Sequence, residues 1–113
     1  MEDCIFCKII NGEIPCVKVY ETEKVLAFDD INPMAPVHVV IIPKEHIPTF
    51  MDVTQEKTDV IDAMFLAAQE VARIKGIDKR GFKVIINCGK EGGQIIFHLH
   101  MHVLGGEKLT IFN

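Results

Sequence analysis

The chain has 113 residues, of which 49% are apolar and 25% charged, and its formal net charge is -4. A chain of this length is expected to form one domain spanning residues 1–113, with a core that needs no disulfides. Twelve Lys and Arg residues against sixteen Asp and Glu residues leave no basic run, so we expect no nucleic-acid polymer as partner. No apolar stretch reaches the roughly 18 residues of a membrane helix, and residues 1–4 are acidic where a signal peptide would be basic. The sequence therefore predicts a cytoplasmic protein without a membrane partner.

The elements predicted along the chain are five strands, one short helix and one long helix. Residues 5–10 are an apolar run that ends at Asn11-Gly12, which predicts a short N-terminal helix. Runs of β-branched and aromatic residues at 17–20 and 25–28, separated by a charged turn, predict a hairpin. The remaining strands are predicted at residues 37–42, 82–87 and 95–104.

Residues 52–75 are the predicted long helix. Asp52 with Gln55 three residues later is a capping-box pattern, with Thr54 as the alternative cap, and Gly76 ends the helix. The apolar side chains at helical spacing are Val60, Met64, Ala67, Ala68, Val71 and Ile74. Because most strands are not separated by helices, the order predicts an α+β fold with a mainly antiparallel five-stranded sheet.

Three histidines alternate with apolar residues in the last predicted strand. Alternate side chains of a strand share one face, so His98, His100 and His102 are expected to line one side. Leu99, Met101 and Val103 are then expected to pack into the core. Three imidazoles on one face are poorly explained by packing, so this strand is the candidate functional site.

Two kinds of chemistry fit such a row of imidazoles. In the first, two or three of them bind a metal ion. In the second, one imidazole is a nucleophile while its neighbours manage protons and charge. The glycine-rich residues 89–93 before the strand favour the second, because their backbone N–H groups can approach an anion closely. The same glycines also suit a simple turn.

A Cys-x-x-Cys pair, Cys4 and Cys7, lies near the N-terminus. In a reducing compartment such a pair stays free or reaches one tetrahedral zinc ion, and zinc then needs two more ligands. Cys16 and Cys88 have no such neighbour and are predicted to be small core residues.

The sequence at residues 93–104 resembles the signature of the histidine triad (HIT) family, in which three histidines alternate with apolar residues. Phe97 before the first histidine and the Gly105-Gly106 pair resemble the nucleotide-binding branch of that family. Similar segments extend over nearly the whole chain, at residues 6–10, 13–15, 28–33, 35–38 and 42–44. The resemblance implies a HIT-like fold.

The resemblance also implies a nucleoside phosphoramidase or nucleotidyl hydrolase. His100 would attack the α-phosphorus of a nucleoside 5′-monophosphate conjugate (a phosphoramidate, adenylate or phosphoanhydride) and form a nucleotidyl-histidine intermediate. His102 would contact the phosphate and assist the leaving group, with His38 beside the same phosphate.

The remaining contacts implied by the resemblance concern the nucleotide. Asp30 would bind the ribose hydroxyls, with Ile31 beside it, and Asn87 would position the phosphate oxygens. The other implied substrate-binding residues are Gly93 and Gln94 through their backbone, and Phe6, Ile9 and Phe28 as an apolar slot for a purine. Ordinary core packing is the alternative for these apolar residues.

The resemblance to HIT family members that have an N-terminal Cys-x-x-Cys implies a structural Zn²⁺ held by two cysteines and two histidines. The matching residues here are Cys4, Cys7, His46 and His98. The alternative is a pair of reduced thiols and a solvated His46.

One departure from the family pattern concerns the leaving group. Ile95 stands where the nucleotide-binding branch often has a polar residue, such as serine, that contacts the phosphate or leaving group. Isoleucine offers no hydrogen bond, so we expect weaker protonation of an amine leaving group.

Two alternatives to the enzyme remain open: a purine-nucleotide-binding adaptor with slow, incidental catalysis, and a zinc-dependent hydrolase with the triad on the metal. The resemblance implies a homodimer, formed through the long helix and the strand after Phe82. The apolar C-terminal residues 109–113 suggest docking against a partner subunit.

Overall fold

The computed structural model describes residues 3–110, so Ile111, Phe112 and Asn113 of the C-terminal run lie outside the described residues. The helices are α1 (Ile5–Ile10) and α2 (Thr58–Ile74), and the strands are β1 (Lys18–Glu21), β2 (Val25–Asp29), β3 (Val37–Pro43), β4 (Lys83–Ile85) and β5 (Met101–Gly105). Two short 3₁₀ turns, Phe50–Asp52 and Gln55–Lys57, precede α2.

All five strands form one antiparallel sheet in the order β1-β2-β3-β5-β4. In this register His102 lies opposite Val40 of β3 and Ile85 of β4, and Leu104 lies opposite His38 and Lys83. Residues directly opposite each other in an antiparallel pair point to the same face. The predicted fold class is therefore confirmed, and the register puts His38 and His102 on one face.

One face of the sheet is covered by α2. Val60, Met64 and Val71 of the helix pack on the sheet, whose buried side chains on this face are Val25, Ala27, Val39, Ile41, Met101 and Val103. Leu99 belongs to the same cluster. The prediction that Leu99, Met101 and Val103 enter the core is confirmed.

The opposite face is only half covered. Phe6 of α1 packs on Leu26 and Phe28 of β2 and on Val40 and Ile42 of β3. Beyond this cluster the face opens into a cavity of about 740 Å³. Its lining includes His38, Ile85, Asn87, His102 and Leu104. The short helix therefore leaves a groove over β3, β5 and β4.

The last strand begins later than predicted, at Met101 instead of residue 95. Residues 96–98 bend, and the backbone N–H of Leu99 donates to the carbonyl of Ile47 at 2.6 Å instead of joining the ladder. The amide nitrogen of the Gln94 side chain donates to the carbonyls of Ile96 and Pro48, which fixes this bend. Of the three triad histidines, only His102 lies in the regular strand.

The start of the long helix also differs from the prediction. Asp52 is not its cap but the third residue of a 3₁₀ turn capped by Thr49, and α2 starts at Thr58 without a side-chain cap. Thr54 does not cap with its side chain either. Gly76 ends the helix as predicted, with φ +72°. The fourth strand is shorter than predicted, Lys83–Ile85 instead of 82–87.

Candidate functional site

The three histidines predicted to be catalytic lie next to one another at the edge of the groove. His38 on β3 faces His102 on β5, with 2.9 Å between Nε2 of His38 and Nδ1 of His102. The His100 ring lies beside His102, with 5.0 Å between the ring centroids. The structure thus brings the three rings together, although His100 precedes the first residue of β5.

The backbone fixes the tautomer of His100. Its Nδ1–H donates to the carbonyl oxygen of His98 at 2.7 Å. A neutral imidazole has one N–H and one lone pair, so Nε2 of His100 carries the lone pair. Phe6 packs edge-on against the ring, with 5.1 Å between centroids. The His100 ring is therefore held in one orientation with its lone pair on Nε2, which is the form that an imidazole nucleophile needs.

Burial keeps these histidines neutral near pH 7. It is the first cause of the lowered pKa of His38 and of His100. For His102, burial combines with repulsion from His100 and His38 and lowers the pKa to about 4. The carboxylate of Asp30 acts in the opposite direction on all three, with a smaller effect.

Asp30 borders the same site. Its Oδ2 lies 3.4 Å from Nε2 of His38, and its Oδ1 accepts the backbone N–H of Asn32 at 2.8 Å. The side chain is partly open to solvent, and Ile31 beside it is 89% exposed. Asp30 can accept further hydrogen bonds from hydroxyl groups of a ligand in the groove.

The aromatic residues predicted to hold a base are largely packed in the core. Phe6 and Phe28 are buried and meet edge-to-face at 5.8 Å, and Ile9 is half-buried against the same cluster. Phe6 also contacts the His98 ring at 5.8 Å. Phe6 and Phe28 thus contribute to core packing, Ile9 and Ile31 keep exposed apolar surface, and binding of a base by Phe6, Ile9 and Phe28 stays a prediction.

The glycine-rich loop has tight steric requirements. A Cβ on Gly92 would lie 2.4 Å from the carbonyl oxygen of Cys88, and Gly93 has φ +85°. The Asn87 side-chain amide donates to the Gly92 carbonyl at 2.8 Å.

The backbone N–H groups predicted to face a phosphate already have acceptors. Gly93 donates to Lys90 at 3.1 Å, and Gln94 donates to Gly89 at 3.0 Å. The Gln94 side chain is buried and bonds the loop itself. These glycines therefore serve the turn, and phosphate contacts by this loop stay a prediction.

A second cluster contains the four residues predicted to bind zinc. One possible ligand atom from each of Cys4, Cys7, His46 and His98 lies within 4.8 Å of all the others. Sγ of Cys4 is 3.3 Å from Nδ1 of His98, and Sγ of Cys7 is 3.3 Å from Nδ1 of His46. Two sulfurs and two imidazole nitrogens are a donor set that suits a closed tetrahedral ion, so this cluster could hold a metal.

The surroundings of this cluster agree with metal binding. His98 is buried, and its Nε2–H donates to the carbonyl oxygen of Pro43 at 2.8 Å, which leaves the Nδ1 lone pair facing the sulfurs. Burial and the neighbouring Cys4 raise the pKa of the Cys7 thiol to about 11. A bound cation would therefore have to displace the thiol proton. Cys16 and Cys88 lie elsewhere and are half-buried.

Sequence reasoning missed the partners that come from the backbone or from distant strands. Pro43 and Met34 act through main-chain atoms, which leave no trace in the residue type. Lys83 and Leu104 line the groove because β4 pairs with β5, a pairing that the alternation of side chains could have indicated.

Among residues 3–110, neither helix combines the length and apolar composition needed to cross a lipid bilayer.

The family model of the HIT domain matches residues 11–109. The chain is 44% identical over 108 residues to the purine nucleoside phosphoramidase of Escherichia coli, covering 96% of this chain and 91% of that protein.

Solved structures give the same relationship. A histidine triad protein from Clostridium difficile has a TM-score of 0.96 and 47% identity, covering 100% of this chain and 98% of the other. A HIT family hydrolase from Legionella pneumophila has a TM-score of 0.94 and 40% identity, with 96% and 97% covered. Together with the family match over most of its length, these similarities show that the chain belongs to the histidine triad (HIT) family.

Proposed function

We propose that this protein is a nucleotide hydrolase or transferase that separates a nucleoside 5′-monophosphate from an amine, acyl or phosphate leaving group. The observation that carries this proposal is the hydrogen bond from Nδ1 of His100 to the carbonyl oxygen of His98, which leaves the lone pair on Nε2 of a ring that lies next to His102. The name of the Escherichia coli relative, a purine nucleoside phosphoramidase, supports a purine nucleotide conjugate as substrate.

The reaction proceeds in two displacements. Nε2 of His100 attacks the α-phosphorus and the bond from phosphorus to the leaving group breaks. A departing amine accepts a hydrogen bond from His102 and takes its proton from solvent, whereas an acyl group leaves as the carboxylate. Water then attacks the nucleotidyl-histidine, the phosphorus–nitrogen bond breaks, and the proton of the water returns to solvent. Two easier steps replace one difficult displacement, since imidazole is a good nucleophile and a good leaving group.

The nucleotide itself would be held by the residues around the groove. Asp30 binds the ribose hydroxyls, with Ile31 beside it. For Asn87, Gly93 and Gln94 to position the phosphate oxygens, their N–H groups would have to exchange their present acceptors in the loop for the phosphate. The apolar slot for the base consists of Phe6, Ile9 and Phe28. The cavity of about 740 Å³ next to His38 and His102 has the volume of a small-molecule site and would take the leaving group.

The metal of the second cluster would be a structural Zn²⁺ held by Cys4, Cys7, His46 and His98. Four protein ligands leave no open position for substrate, which argues against the zinc-dependent hydrolase. When bound, zinc ties α1 to the segment before β5. The residues themselves orient the site, because His98 supplies the carbonyl that holds His100.

A homodimer would bury apolar surface on α2 and β4. Phe65 and Leu66 of α2 are 60% and 62% exposed, and Phe82 and Val84 are 37% and 43% exposed.

We further propose that residues 1–113 form a single HIT domain and that the protein is cytoplasmic.

The test compares turnover of an adenosine 5′-phosphoramidate by the wild type and by His100→Ala, with nucleotide binding followed by calorimetry. Loss of turnover with retained binding supports the enzyme, and Asp78→Asn, an exposed residue on the turn after α2, is the matched control. Negligible wild-type turnover with tight binding would instead support the purine-nucleotide-binding adaptor.

A further inference from the structure

The backbone N–H of Met34 donates a hydrogen bond to Nδ1 of His38 at 3.0 Å. Met34 lies in the loop between β2 and β3, and the residue is 79% exposed. The contact therefore depends on the main chain of the loop and not on the methionine side chain. It is the first bond of a chain that ends at the reacting phosphate in the proposed function.

This bond decides where the proton of His38 lies. Because Nδ1 accepts from Met34, a neutral His38 carries its proton on Nε2. Nε2 lies 2.9 Å from Nδ1 of His102 and 3.4 Å from the carboxylate of Asp30, two acceptors that both suit an N–H. His102 then accepts at Nδ1 and carries its own proton on Nε2.

We propose that the Met34 amide is a positioning group that holds His38 and His102 in the tautomer in which His102 presents an N–H, and not a lone pair, to the substrate. The catalytic consequence of this inference rests on the proposed function. The assignment of the tautomers rests only on the hydrogen bonds and does not depend on that function. A leaving group whose departing atom needs a proton, such as an amine nitrogen, would profit most from this donor.

The same proton excludes a metal ion from a set of residues that resembles a metal site. Asp30, His38 and His102 each offer a ligand atom within 4.8 Å of the others, as in a site of two histidines and one carboxylate. A cation at these three residues would need a lone pair on Nε2 of His38. As long as Nδ1 of His38 accepts the hydrogen bond from Met34, Nε2 carries the proton and has no lone pair to offer. Asp30, His38 and His102 therefore form a hydrogen-bonded chain that fixes the position of each ring proton and do not form a metal site.

The direct test is the tautomer of each histidine in the metal-loaded, substrate-free protein at pH 7.5, from long-range ¹H–¹⁵N correlation spectra. We expect protons on Nε2 of both His38 and His102, and Mn²⁺ equimolar with the protein should leave both rings unbroadened. A proton on Nδ1 of His102, or selective broadening of both rings, would overturn the proposal. Since no substrate is present, failure of the proposed enzymatic function leaves this readout unaffected.

The variant test separates the amide from the side chain. Met34→Pro removes the N–H, and Met34→Ala, which keeps it, gives the baseline for loss of the side chain. We expect Met34→Pro to lower kcat about fivefold relative to Met34→Ala at similar KM, the size expected for one lost neutral hydrogen bond, and to mix the His38 tautomers. Equal kcat and equal spectra in the two variants would contradict the proposal. If Met34→Pro does not fold, an ester in place of the Met34 amide, made by semisynthesis, gives the same comparison without the ring.

Discussion

The carbonyl oxygen of His98 accepts a hydrogen bond from Nδ1 of His100 across 2.7 Å, while the side chain of His98 faces the two cysteines of the metal cluster. One residue therefore joins the candidate metal site to the candidate nucleophile. Its side chain belongs to the first and its main chain to the second. Metal binding that orders the Cys4, Cys7, His46 and His98 cluster should consequently also affect the orientation of the His100 ring.

Metal removal should lower stability more than it lowers activity. We expect purified protein to contain one zinc per chain, and chelation to lower the unfolding free energy by about 3 kcal/mol or more, because four ligands are released. The chelated protein should keep part of its kcat, since His100 loses only orientation. Metal analysis, thermal unfolding and phosphoramidate turnover check this.

The matched variants are Cys7→Ser, which loses a ligand, and Cys16→Ser, which does not touch the cluster. Equal zinc content in both would contradict the assignment of the ligands. Complete loss of turnover on chelation of a still folded protein would favour a zinc-dependent hydrolase.

Stability should decrease as the pH falls from about 6.5 toward 4. The pKa of His102 in the folded protein is about 4, below the ordinary value of 6.5, so the unfolded chain binds the proton first as the pH falls. Its contribution is complete above pH 6.5 and is lost toward pH 4. Allowing for partial exposure to solvent, we expect about 1–2 kcal/mol from this residue.

Chemical unfolding at a series of pH values measures this effect. The metal cluster contributes to the wild type and to His102→Gln alike, so the difference between the two proteins isolates His102. Parallel pH profiles for the two proteins would show that His102 is not held neutral by the fold.

Ile95→Ser should raise kcat/KM for a phosphoramidate severalfold. Ile95 is 88% exposed, so the change costs little core packing. At the position that the family resemblance assigns to the leaving group, a hydroxyl would add a hydrogen bond of about 1 kcal/mol. An adenylate with an acyl leaving group, which needs no proton, should react at an unchanged rate. Steady-state kinetics with both substrates decides, and an unchanged phosphoramidate kcat/KM would refute the idea.

Gly92→Ala should destabilise the protein more than Gly12→Ala. An alanine Cβ at position 92 would lie 2.4 Å from the Cys88 carbonyl, whereas at Gly12 only the backbone angle, φ +79°, is unfavourable. We expect a loss of about 2 kcal/mol or more at Gly92 and about 1 kcal/mol at Gly12. Urea unfolding of the two variants gives the comparison, and equal losses would show that the loop relaxes around the added methyl group.

The parts of the fold that depend on local periodicity could be predicted from the sequence. Leu99, Met101 and Val103 alternate with the histidines, and that alternation alone indicated their burial. The start of β5 could not be predicted, because the hydrogen-bond partner of Leu99 is Ile47, far away in the chain.

The predicted cap of the long helix was wrong for a different reason. The pattern Thr49-x-x-Asp52 and the pattern Asp52-x-x-Gln55 are both capping boxes by residue type, and only packing decides between them. In the site, the four candidate metal ligands follow from a family resemblance, whereas the Met34 amide carries no side-chain signal at all.

The central claim is covalent catalysis by His100, and trapping the intermediate tests it most directly. Wild-type protein mixed with excess adenosine 5′-phosphoramidate, quenched during turnover and kept at alkaline pH, should carry one nucleoside monophosphate per chain by intact mass. Peptide mapping should assign it to His100, and His100→Ala should show neither adduct nor turnover. Turnover by His100→Ala at the wild-type rate, or an adduct on another residue, would contradict the account.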